Sequence, residues 1–130
     1  TSAHTSELTK LGWKYNLGNL PSAYLVGLLA GIKAKKANIK DSIVDFGLYA
    51  PIKGTKLYAA VKGVIDAGID VPCSEEVLPS EDRVFGKHIS AYAKSYKGEK
   101  GQFSSYKKDN VDVAAIEDDF KQLKEKILKM

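Results

Sequence analysis

VDFGLYAPIKGTKLYAAVKGVIDAG, residues 44–68, changes its hydrophobic period midway, and the fold turns on that change. Val44, Phe46 and Leu48 alternate with Ile43, Asp45, Gly47 and Tyr49, the pattern of a strand with one apolar face. Pro51 ends any ladder. From Thr55 a helical period takes over, with Leu57, Val61, Val64 and Ile65 on one face and Gly68 where a left-handed cap is needed. On the other side Lys56, Ala59, Ala60 and Gly63 make a flat strip. It suits either a helix lying close on its own sheet or a bulky partner resting against it. Between strand and helix, Lys53, Gly54, Thr55 and Lys56 offer two cations, a hydroxyl and backbone N–H groups at a helix N-terminus. That combination fits phosphate, and two solvated lysines are the other reading.

Composition bounds the rest. A chain of 130 residues supports one domain with a real core. Lys plus Arg number 20 against 16 Asp plus Glu, for a net charge of +4 and a pI near 9.0. Arg83 is the single arginine. Such a balance favours an anionic partner, nucleic acid first. No apolar run approaches a membrane span and no signal-peptide pattern opens the chain, so a cytosolic protein without a membrane partner is expected. Cys73 stands alone, which excludes an internal disulfide and a cysteine zinc site.

Working outward towards the N-terminus, Pro21 in a first turn opens a helix over about Leu20–Ala37. Leu25, Leu28, Leu29 and Ile32 form its apolar face, while Ala23, Gly27, Gly31 and Ala34 recur at helical spacing and call for a close neighbour. Each glycine lowers helix propensity by roughly 1 kcal/mol. Lys33, Lys35 and Lys36 complement the dipole at its end. Before it, Thr5 suits a cap of a short turn closed by Gly12, and Trp13, Lys14 and Tyr15 interleave cations with aromatics. His4 lacks a second ligand.

Towards the C-terminus, Ile69–Val71 suits a short strand before Pro72. Ser80 suits the cap of a helix carrying Phe85, His88, Ile89, Tyr92 and Tyr96 on one face. KGEKGQFSSYKK follows as a basic loop in which Phe103 and Tyr106 fit RNA contact or plain anchoring. From about Val111 a terminal helix places Val113, Ile116, Phe120, Leu123 and Ile127 in one seam, with Glu117 and Lys121 spaced for an ion pair. The order of elements indicates an α/β layer structure. Paired carboxylates, a nucleophile with its base, metal-ligand spacing and a phosphate-loop glycine motif are all lacking, so neither an enzyme nor a cofactor or metal protein is expected. Asp45-Phe46-Gly47 spells a kinase tripeptide without the other kinase motifs.

Three stretches carry a resemblance: GNLPSAYLVGLLAG at Gly18–Gly31, DFGLYAPIKGTKLYAAVKGVIDAGIDVP at Asp45–Pro72, and QFSSYKK at Gln102–Lys108. Together they resemble the archaeal and eukaryotic form of the 5S rRNA-binding protein of the large ribosomal subunit, over essentially the whole chain. The resemblance implies an α/β protein with a mixed sheet covered by helices; the tail after Lys108 diverges from the family in letters, and its seam is expected to make a C-terminal helix over residues 109–130 packed on a single domain of residues 1–130. It also implies a cytoplasmic, ribosomal location and a structural role, docking 5S rRNA onto the large-subunit rRNA beside neighbouring proteins of the central protuberance. No small-molecule substrate is implied.

In residue terms the family's RNA-facing loop and helix start correspond to Gly47, Tyr49, Lys53, Gly54, Thr55, Lys56 and Lys62. Asn19, Pro21 and Tyr24 match its helix-start motif. Trp13, Lys14, Lys107 and Lys108 complete the expected RNA contacts. The family opens with a basic arm and three antiparallel strands, and this chain is expected to enter near the end of the third, at Thr1–His4. Helices should then predominate, with Leu25, Leu28, Phe46 and Leu57 partly uncovered. A protein-interaction module using the seam and the flat strip is the alternative.

Overall fold

The computed structural model describes residues 1–96, 101, 103–109 and 111–130, with the Lys108 side chain left aside. Helices predominate: α1 (Ser6–Leu11), α2 (Leu20–Lys36), α3 (Lys56–Asp66), α4 (Glu81–Val84), α5 (Lys87–Ser95), α6 (Ser104–Lys108) and α7 (Ile116–Leu128), with single 3₁₀ turns at Glu75–Val77 and Val113–Ala115. No helix among the described residues is long and apolar enough to cross a membrane.

α2 is the axis. Asn19 caps it by accepting the Ser22 N–H on Oδ1 at 2.9 Å, and Pro21 occupies its first turn. The close neighbour that Gly27 and Gly31 demand is α3. Gly27 faces the Ala60 backbone, Gly63 faces the Tyr24 carbonyl and the Leu28 N–H, and a Cβ on Gly31 would stand 2.5 Å from that of Ala67. The glycine row of α2 and the flat strip of α3 are therefore two sides of one contact. Ala60 and Gly63 of the strip thus pack on a helix and not on a sheet. Gly68 closes α3 in the left-handed conformation, φ 96°.

The other flank of α2 carries the main core, in which Leu8, Trp13, Leu25, Leu28 and Leu29 pack with the α7 seam. All five seam residues are buried, as the spacing predicts. Phe120 packs between Tyr24, tilted at 5.6 Å between centroids, and Phe85, edge-on at 5.1 Å. Leu25 and Leu28, expected to lie partly open, are sealed because α7 and the N-terminal residues close over them. A smaller cluster of Val61, Ile69 and Val71 lies on the far face of α3, and Val44 and Phe46 only half-cover it.

The mixed sheet does not appear among the described residues. Pairing is limited to one parallel bridge, in which Ser42 N–H donates to the Asp70 carbonyl and Asp70 N–H to that of Lys40, each at 2.9 Å. The expected strand fails beyond it for a local reason. Asp45 Oδ1 accepts the Gly47 N–H at 2.8 Å and the Phe46 carbonyl accepts the Tyr49 N–H at 3.1 Å, so the chain turns where the alternation points straight on. Val44 and Phe46 still face inward, whereas Leu48 is fully exposed.

Three finer expectations change as well. The helix expected from Ser80 is broken by Gly86, whose φ of 80° divides α4 from α5, and the Ser80 hydroxyl makes no cap bond. The terminal helix begins later, through a 3₁₀ turn capped by Asp112, which accepts the Ala114 N–H at 3.0 Å. Lys33–Glu7 at 2.6 Å and Lys87–Asp82 at 3.6 Å are the ion pairs among the described residues, and Glu117–Lys121 is not one of them. Thr5 likewise stands at the cap of α1 without a side-chain bond.

Candidate nucleic-acid interface

The loop before α3 is built by backbone turns that leave its side chains outside. After the turn at Asp45–Tyr49, Ile52 N–H donates to the Ala50 carbonyl across Pro51, and Gly54 takes φ 74°. Gly54 N–H donates to the Val77 carbonyl at 2.8 Å, fastening the loop to the 3₁₀ turn. Thr55 stands at the N-cap of α3, yet its hydroxyl donates backward to the Ile52 carbonyl at 2.7 Å. No side chain caps α3, and its first turn carries no acidic residue. The positive end of the helix dipole thus stays uncompensated beside Lys53 and Lys56, both exposed.

Tyr49, 74% exposed, stands on the same loop, and Gly47 sits at its tip with φ 57°. Lys62 lies half-buried farther along α3. Gly47, Tyr49, Lys53, Gly54, Thr55 and Lys56 thus all lie on the one segment that leads into α3. An aromatic face, ammonium groups and free backbone donors on one segment suit a polyanion with exposed bases. The loop is not uniformly basic: Asp45 lies in it, and Glu75 and Glu76 occupy the turn that Gly54 is fastened to.

The remaining expected contacts scatter. Trp13 and Tyr24, both expected among the RNA contacts, have core side chains, 3% and 1% exposed. Trp13 packs edge-on against Tyr15 at 5.0 Å. The Tyr24 hydroxyl donates to Asp66 Oδ2, and burial first, then that bond, push its ionisation far above the ordinary phenol range. Lys14 is exposed near Asp119 and Lys126 of α7. Asn19 caps α2. Lys107, on α6, stands 5.6 Å over the ring of Tyr96, which ends α5, and the Lys108 side chain falls outside the described residues, as does Gln102 of the third resembling stretch.

Sequence reasoning missed the apolar character of the loop surface: Ile43, Leu48 and Ile52 are exposed together with Tyr49. Pro51 and the Asp45-x-Gly47 turn signal were the available clues. It also missed that His88 is exposed; partial desolvation, then Arg83, lower its pKa. Cys73 is a free, half-buried thiol. Among the described residues no group of three or more His, Cys, Asp or Glu is placed to hold a metal ion.

No family model matches the chain. It is similar to the large ribosomal subunit protein uL18 of Korarchaeum cryptofilum (strain OPF8), with 47% identity over 131 aligned residues that cover 98% of this chain and 67% of that protein.

Proposed function

The chain belongs to the uL18 family of large ribosomal subunit proteins, and from that membership we propose that it binds 5S rRNA and helps attach it to the large-subunit rRNA in the central protuberance. Membership itself carries the coarser statement: this is a structural, non-enzymatic protein of the large subunit of the cytoplasmic ribosome, with rRNA and ribosomal proteins as partners. In our reading residues 1–130 act as one domain, with the segment 109–130 as scaffold.

The observation that carries the reading is the start of α3, an uncapped helix N-terminus without acidic residues in its first turn and with Lys53 and Lys56 exposed beside it. Phosphate satisfies both the dipole and the ammonium groups there. Gly47 and Gly54 hold the loop open, Tyr49 offers a face to a base, and Thr55 fixes the helix start. Lys62, Lys14, Asn19, Lys107 and Lys108 are secondary contacts in this proposal. Trp13 and Tyr24 support the scaffold and do not touch RNA.

The test is the dependence of 5S rRNA affinity on salt. Each lysine that neutralises a phosphate releases counterions, so Lys53→Ala with Lys56→Ala should make log K against log salt shallower by up to roughly 1.4 to 1.8. Binding and slope equal to those of the unmodified chain would remove this loop from the interface. The exposed Ile43, Leu48 and Ile52 would then favour a protein-facing role.

A further inference from the structure

At the N-terminal end of α2 lies a cleft of about 720 Å³, between the turn before α2, α5 and α6. Its walls include Tyr92, Phe103 and Tyr106, arranged as a chain with centroids 5.6 Å apart from Tyr92 to Phe103 and 6.1 Å from Phe103 to Tyr106. Tyr92 is 46% exposed, so part of this aromatic surface faces solvent. Asn16, Asn19 and His88 line the same space.

The polar groups are oriented by the backbone. Asn16 Oδ1 accepts the Gly18 N–H at 2.6 Å and Asn19 Oδ1 accepts the Ser22 N–H at 2.9 Å. Each carboxamide oxygen is turned to the backbone, with one lone pair engaged, and both hydrogens of the NH₂ end remain its offer to a ligand. The Asn16 N–H donates to the Tyr106 hydroxyl at 2.6 Å and so fixes that ring against the turn. The site therefore combines π faces with amide donors, and its volume lies in the ordinary range for small-molecule-sized ligands.

Charge selects among planar ligands. Helices α5 and α6 carry Lys87, Lys94, Lys107 and Lys108 and no Asp or Glu. Lys87 is held at 3.6 Å from Asp82; Asp109, exposed, follows α6 directly, and Asp112 beyond it is occupied by the Ala114 N–H.

We propose that this cleft takes an unstacked nucleobase of single-stranded RNA, sandwiched against Tyr92 and met on its acceptor edge by the Asn16 and Asn19 amides, with the backbone running over the basic helices. The proposal rests on the RNA-binding reading above but places a second contact, remote in sequence from the α3 loop. Stacking on an aromatic side chain contributes about 1–3 kcal/mol per base, equivalent to roughly fivefold to a hundredfold in affinity.

The probe is a short single-stranded oligouridylate carrying one 2-aminopurine, whose fluorescence falls when the base stacks. With the 130-residue chain, quenching is expected, retained in Tyr92→Phe and lost in Tyr92→Leu together with about fivefold to a hundredfold in affinity. The salt slope should stay unchanged, because no charge is removed. Asn19→Asp keeps the cap acceptor while replacing the donor with an anion, so it should also weaken binding and quenching. It decides the matter if Tyr92→Leu fails to fold.

Unchanged affinity and quenching in Tyr92→Leu and Asn19→Asp overturn the cleft as a base site. If Lys53→Ala with Lys56→Ala still flattens the 5S rRNA salt slope in that case, the RNA-binding reading stands without it. An unmodified chain that binds neither 5S rRNA nor the oligonucleotide overturns both.

Discussion

The Tyr24 hydroxyl donates to Asp66 Oδ2 at 2.6 Å, a bond that reaches from the first turns of α2 to the last residue of α3. The ring beneath it is core, against Phe120, with the Lys124 ammonium 5.2 Å from its centroid. One side chain thus ties the glycine-mediated α2–α3 contact to the α7 seam.

Removing that hydroxyl, Tyr24→Phe, should cost about 1–2 kcal/mol, since the lost bond has a charged acceptor but Asp66 itself remains hydrated. Urea denaturation at neutral pH measures it. A loss above about 4 kcal/mol would mean that the ring, not the bond, had moved.

The same tyrosine predicts an alkaline limb. Tyr24 and Tyr15 both ionise well above the ordinary 10.0, burial being the larger cause and the carboxylates of Asp66 and Asp119 the next. Above pH 10 the unfolded chain releases these protons while the folded chain keeps them, so stability is complete below about pH 10 and falls as pH rises further. The double variant Tyr15→Phe, Tyr24→Phe should show a shallower fall in urea midpoint between pH 9.5 and 11.5, beyond the change at neutral pH. Parallel curves for variant and parent would contradict the assignment.

Gly27→Ala sets two effects against each other. Helix propensity favours alanine by roughly 1 kcal/mol, but its Cβ meets the Ala60 backbone, which cannot swing aside. Overpacking costs about 1–3 kcal/mol, more where backbone must move, so a net loss of about 2 kcal/mol is expected. A stabilised Gly27→Ala would show that α2 and α3 are not in this close contact.

Phe120→Ala should cost about 3–5 kcal/mol, because the ring is fully buried between Tyr24 and Phe85. In the folded fraction the affinity for 5S rRNA should be unchanged. Altered RNA specificity without lost stability would make α7 a binding element.

Tyr49→Ala is the converse case. With the ring exposed, stability should stay within about 0.5 kcal/mol, while 5S rRNA binding should weaken by about 1–3 kcal/mol if a base stacks there. Calorimetry and a filter-binding titration on the same samples separate the two quantities.

Periodicity alone determined α2, α3 and the α7 seam, because the spacing of Leu25, Leu28 and Leu29, and of Ile116, Phe120, Leu123 and Ile127, leaves one face to bury whatever the neighbour is. It also determined that Gly27 and Gly31 need a backbone close by, and the loop lysines with Thr55 marked a helix start. Which backbone answers the glycines was a tertiary matter, since a strip of Ala59, Ala60 and Gly63 fits a sheet as well as a helix until α2 is seen to cross it. The strand at Val44–Tyr49 failed for a local reason: an alternating segment becomes a strand only when something pairs with it, and the Asp45 turn leads the chain away from the bridge to Asp70. Burial of Trp13 and Tyr24 follows from how helices close on one another, a relation between distant residues that local spacing does not contain, whereas exposure of Leu48 follows from the Asp45 turn.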